Sequence, residues 1–135
     1  MKELTIEAKV QNLQQVLDFV DETLESMNCP MKLQMQMDVA VEEIFVNVAS
    51  YAYAPDTGSV TIRMEKTTDP AAIQVTFIDS GIPFDPTAKA DPDVTLSAEE
   101  RKIGGLGIYM VKKSMDTMTY EYTDGKNILR IAKYL

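Results

Sequence analysis

Alternation opens the chain. Leu4, Ile6, Ala8 and Val10 stand at every second position between polar residues, the period of a half-buried strand. Beyond Asn12, which suits a helix N-cap, the period lengthens. Leu13, Val16, Leu17, Val20 and Leu24 recur at helical spacing through about Met27. Pro30 suits the first turn of a second helix, whose apolar stripe is Met37, Val41, Ile44, Phe45, Val48 and Ala52. That helix is expected to end near Ala54-Pro55, because a residue before proline avoids helical angles. After the turn residues Asp56-Thr57-Gly58, period two returns in Val60-Ile62-Met64 and again in Ile73-Val75-Phe77. Thr67-Thr68-Asp69-Pro70 between them predicts an antiparallel pair.

Residues 80–104 keep no period and hold Pro83, Pro86 and Pro92, so they read as a long loop. A third helix follows from Leu106 to Met115. Met118, Tyr120 and Tyr122 alternate as a strand, Asp124-Gly125 is hairpin-turn chemistry, and Ile128, Leu129, Ile131 and Tyr134 form the last strand. The order β-α-α-β-β-loop-α-β-β predicts an α+β two-layer sandwich, with helices on one face of a mixed, mostly antiparallel sheet. A chain of 135 residues suits one domain, 1–135.

Composition removes several chemistries. The chain has no histidine, which excludes a Ser-His-Asp or Cys-His mechanism within it and any histidine metal site. The single cysteine, Cys29, excludes an internal disulfide, and a reducing cytoplasm is the expected setting. No stretch approaches the ~20 apolar residues of a membrane helix, and MKELTIEAKVQN lacks the apolar core of a signal peptide. The net charge of -8 argues against nucleic acid. The charge is uneven, however. Residues 1–100 hold 6 basic and 18 acidic side chains, whereas residues 101–135 hold 7 basic and 3 acidic. The basic end could serve a small anion such as a nucleotide phosphate, or be a solvated face.

Three segments could carry chemistry. In Glu42-Glu43-Ile44-Phe45-Val46-Asn47, Glu43 and Asn47 are four apart, about 40° from one another on a helix. Both sit at the margin of the apolar stripe, where a carboxylate and an amide could polarise a hydroxyl and hold Mg²⁺. They could equally be ordinary margin residues. In Ile78-Asp79-Ser80-Gly81, a carboxylate ends an apolar strand beside a glycine that permits close backbone approach. Asp79 could accept from the exocyclic amine of a base, or simply end the strand in a turn. In Gly104-Gly105-Leu106-Gly107, glycines run into a helix start, where free N–H groups and the helix dipole favour an anion. Arg101 and Lys102 lie just upstream. The pattern is neither a Rossmann fingerprint nor a P-loop.

Taken together, the three resemble the boxes of the GHKL ATPase superfamily, and most closely the RsbW-like anti-sigma-factor serine/threonine kinases. Glu43-x-x-x-Asn47 looks like the N box, Asp79-x-Gly81 like the G1 box and Gly105-x-Gly107 like the G2 box. The resemblance implies a Bergerat fold binding ATP and Mg²⁺. Glu43 would be the general base and Asn47 the Mg²⁺ ligand. Asp79 and Gly81 would receive adenine. Arg101, Gly104, Gly105, Leu106 and Gly107 would hold phosphates, and residues 80–104 would be the ATP lid. The implied partners are a STAS-type anti-anti-sigma protein that receives the phosphoryl group on Ser or Thr, and a sigma factor. Relatives commonly form homodimers. Where such relatives often read Asn-x-x-x-His-Ala-Tyr, this chain has Tyr51 in the histidine position. The alternative function is a nucleotide-binding module that sequesters a partner without phosphotransfer.

Overall fold

The computed structural model describes residues 1–88 and 105–135. Its strands are β1 (Lys2–Glu7), β2 (Ser59–Thr67), β3 (Ala72–Asp79), β4 (Thr117–Thr123) and β5 (Lys126–Tyr134). Its helices are α1 (Leu13–Ser26), α2 (Met31–Asn47) and α3 (Gly105–Ser114). The sheet order is β1-β2-β3-β5-β4. All four pairings are antiparallel, so the sheet of the described residues is not mixed as expected.

The periods of the sequence explain the layers. Val60, Ile62 and Met64 of β2, Val75 and Phe77 of β3, and Leu129 and Ile131 of β5 share the inner face and are buried. They meet Val16, Val20 and Leu24 of α1, Met37, Val41, Ile44 and Phe45 of α2, and Val111 of α3 in one core. The opposite sheet face is polar. It carries the ion pairs Arg63–Glu3 at 2.6 Å and Arg130–Glu121 at 3.1 Å. The alternation also determines what ends the inner rows. Asp79 continues Ile73-Val75-Phe77, and its register partner Asn127 precedes Leu129 by two. Both are therefore on the helix-facing side at one end of the sheet.

The connections follow turn chemistry. Past the end of helix α1, Asn28 has φ 57°, and Asn28 N donates to Glu25 O and Cys29 N to Leu24 O. This is a Schellman arrangement, and asparagine tolerates the left-handed position. Asp124 (φ 51°) and Gly125 (φ 74°) make the tight turn between β4 and β5. Asn12 does stand at the entry to α1, but its side chain does not cap the helix. It donates instead to Glu7 O at 3.0 Å. Helix α2 ends at Asn47 as a regular helix and continues as one π-helical turn, Val48–Ala52.

The α1–α2 contact contains a carboxyl pair. Asp38 Oδ1 is buried without a hydrogen-bond partner among the described residues. Desolvation, followed by the hydrogen bond and charge of the Asp21 carboxyl, pushes Asp38 up to about 7 from 3.8. Gln34 Nε2 donates to Asp21 Oδ1 at 3.2 Å. A proton on Asp38 removes the conflict between the two carboxylates. The folded chain thus holds a proton that the unfolded chain releases near pH 4. Stability from this pair is fully present below about pH 4 and is lost as pH rises towards 7. Urea midpoints measured from pH 5 to pH 8 should fall for the wild type and flatten in Asp38→Asn. Equal slopes would refute the assignment.

Candidate functional site

At the end of the sheet where Asp79 and Asn127 stand, the helix layer leaves a cleft of about 600 Å³, counting its open mouth. Asn47, Tyr51 and Ala52 line it from α2 and the π-turn. Phe77 and Asp79 line it from β3, Ile108 from α3, and Tyr120, Asn127 and Leu129 from β4 and β5. Ile82, Phe84 and Pro86 complete its lining. The walls are mostly apolar with a few polar groups, the makeup of a small-molecule site.

Asp79 is 7% exposed. Its Oδ1 accepts from Gly81 N at 2.9 Å and Asn127 Nδ2 at 3.0 Å. Its Oδ2 makes no hydrogen bond among the described residues. A carboxylate with one oxygen engaged and one free is a fixed acceptor for an N–H donor.

Gly81 is required by close approach. A Cβ there would stand 2.3 Å from Ala52 O and 2.7 Å from Ala52 C, both backbone atoms. Ile82 N donates to the same Ala52 O at 2.9 Å. The loop after β3 is thus docked on the π-turn. Tyr53 secures it from the side. Its hydroxyl donates to Ser59 O at 2.6 Å and accepts from Ser80 N at 2.7 Å.

Asn47 Nδ2 donates back to Glu43 O at 3.2 Å, one helical turn earlier. This leaves the Oδ1 of Asn47 without a hydrogen bond among the described residues. Glu43 does not line the cleft. It borders a second groove between α2 and α3, with Met35, Val39 and Met110. Its carboxylate stands against Gly107, where a Cβ would meet Glu43 Oε2 at 2.1 Å. The Glu43 carboxylate makes no hydrogen bond or ion pair among the described residues. Among those residues no trio of His, Cys, Asp or Glu gathers as a metal cage.

The structure therefore brings Glu43, Asn47, Asp79, Gly81 and Gly107 to one end of the molecule. Gly105 and Leu106 lie in the first turn of α3. Arg101, Gly104 and most of the expected lid, residues 89–104, lie outside the described residues. Tyr51 is 48% exposed on the cleft wall beside Asn47.

Sequence reasoning missed Asn127 and Tyr120. Asn127 is 6% exposed. Its Nδ2 also donates to Ile82 O at 2.9 Å, and its Oδ1 accepts from Phe84 N at 3.2 Å and from Tyr120 OH. Burial is the largest influence on the Tyr120 phenol, and it holds the group above its ordinary value. Tyr120 thus remains a neutral donor. The one available signal was a polar residue in an inward position of the last strand's alternation.

Comparison with known proteins agrees with this fold. A family profile described as "Histidine kinase-like ATPase domain" matches residues 6–133. The chain is 28% identical over 103 residues to the serine-protein kinase RsbW of Bacillus cereus strain G9842, covering 73% of this chain and 62% of that one. It is 22% identical over 104 residues to the serine/threonine-protein kinase BtrW of Bordetella bronchiseptica, covering 76% and 72%. The match thus spans less than two thirds of that RsbW's length. Among solved structures, a chain of the SiaB-SiaC complex from Pseudomonas aeruginosa superposes with a TM-score of 0.55 at 13% identity. It covers 98% of this chain and 89% of that one, a likeness of fold.

Proposed function

The chain belongs to the histidine kinase-like ATPase family, and from that premise we propose that it is an ATP-dependent anti-sigma-factor serine/threonine kinase. It would phosphorylate a STAS-type anti-anti-sigma protein and so regulate a sigma factor. One observation carries the reading. Three segments far apart in sequence converge, with Asn47 and Asp79 on one cleft and Glu43 against Gly107 beside it.

The residues fit the proposed ligands. Gly81 lets its loop pack against the Ala52 backbone at the cleft, and Gly107 lets α3 approach the Glu43 carboxylate. Asp79 Oδ2 is an open acceptor for the adenine amine. The free Oδ1 of Asn47 suits Mg²⁺, which keeps several waters and takes phosphate oxygens for the rest. Magnesium bound there would neutralise phosphate charge. The first turn of α3, with Gly105, Leu106 and Gly107, presents backbone N–H groups and a positive dipole end to phosphates.

Glu43 borders the α2–α3 groove, one helical turn before Asn47 on the cleft wall. A protein hydroxyl reaching it there would lose its proton to the carboxylate while its oxygen attacks the γ-phosphorus. The leaving group is ADP. Phosphoryl transfer relies on positioning and charge neutralisation, so a glutamate base suits a chain without histidine.

Tyr51 favours a second reading. It occupies the cleft wall where the resemblance leads one to expect histidine, and a phenol is a weaker base partner. The chain would then bind nucleotide and hold its partner without transfer. Incubation with Mg²⁺, γ-labelled ATP and a purified STAS-domain partner separates the two. The kinase reading predicts label on a partner Ser or Thr. Firm ATP binding with no labelled partner would favour sequestration.

A further inference from the structure

The Asn127 side chain is the hub of the cleft's polar end, and its bonding has a directional logic. Phe84 N–H can only donate and Ile82 O can only accept, which fixes the amide with Oδ1 towards Phe84 and Nδ2 towards Ile82. In that orientation Nδ2 also reaches Asp79 Oδ1 at 3.0 Å and Gly81 O at 3.4 Å. Every hydrogen-bonding group of the amide is used in a position that is 6% exposed. One side chain therefore ties β3's terminal carboxylate to the backbone of residues 81–84.

We propose that Asn127 is a positioning residue that sets base selectivity. By donating to Asp79 Oδ1, it leaves Oδ2 as the acceptor presented to the base and so selects purines that carry an amine at the 6-position. This inference rests on the nucleotide reading above. A base with a carbonyl at that position would set its oxygen against the carboxylate, with no donor between them. Selectivity then depends on a neutral donor behind Asp79.

Asn127→Asp keeps the shape and removes that donor. It also places a second carboxylate against Asp79, and two such groups hold a proton between them. A proton shared there weakens Asp79 as an acceptor for the amine.

The test is equilibrium binding of Mg²⁺-ATP and Mg²⁺-ITP, which differ at the 6-position of the purine by amine against carbonyl. Wild type should prefer ATP. In Asn127→Asp the ATP-over-ITP preference should fall at least about tenfold, with ITP affinity changed less than about threefold, the loss expected when one charge-assisted hydrogen bond goes. Tyr120→Phe removes one donor to Asn127 Oδ1 without adding charge. It should shift the preference in the same direction by a smaller factor, and it serves as the readout should Asn127→Asp not fold. Equal weakening of ATP and ITP would make Asn127 merely structural and overturn the proposal. A wild type that prefers ATP while both variants keep its full preference would overturn it alone. A wild type that binds neither nucleotide would overturn the nucleotide reading, and this inference with it.

Discussion

Glu43→Ala is expected to reduce phosphoryl transfer to a protein hydroxyl by roughly 10²–10⁴-fold, the usual contribution of a positioned general base. ATP binding should be nearly unchanged. The separation follows from geometry. Glu43 is outside the lining of the cleft, and its carboxylate makes no hydrogen bond or ion pair among the described residues. Its removal therefore strips no contact from the cleft wall. The half-buried carboxylate lies against Gly107, so its loss opens a small space without exposing the core. Single-turnover transfer and nucleotide titration on the same preparation provide the check. A variant that loses binding and transfer together would place Glu43 in nucleotide binding instead.

Gly81→Val should have the largest effect on the site itself. A side chain at 81 meets Ala52 O and C, and backbone cannot rotate away. Either the loop lifts off the π-turn or the end of β3 shifts. Both routes break the Ile82 N to Ala52 O bond at 2.9 Å and move Asp79, whose Oδ1 accepts from Gly81 N. Overpacking of this kind costs about 1–3 kcal/mol. The loss of a charge-assisted hydrogen bond to the ligand adds about 1.5–3 kcal/mol. Nucleotide affinity should fall roughly 100-fold, with a lowered urea midpoint. By contrast, the atom nearest a Cβ at Gly107 is the end of the Glu43 side chain, which can swing aside. Wild-type affinity in Gly81→Val would show that the loop does not shape the site.

Much of the fold was legible because periodicity reports burial. The rows Val60-Ile62-Met64 and Val75-Phe77 are the inner face, and the α2 stripe is the helix face that meets them. The π-turn at Val48–Ala52 continues an apolar pattern that a regular helix would share. The sheet was expected to be mixed, because strand pairing depends on crossovers that one-dimensional patterns do not encode. Glu43, Asn47, Asp79 and the glycines stand out as candidates in the sequence because their spacing is local. Asn127 acts through partners 48, 45 and 43 residues away. A lone asparagine beside a turn looks like turn chemistry until those partners are in place.

The central claim is that the cleft between the π-turn and the ends of β3 and β5 is an adenine-nucleotide site. Calorimetric titration of the wild type and of Asp79→Asn with Mg²⁺-ATP tests it most directly. The account predicts saturable binding of one ATP per chain, weakened at least about tenfold in the variant, the value of a hydrogen bond to a charged group. Absence of binding in the wild type, or equal affinity in the two proteins, would contradict it.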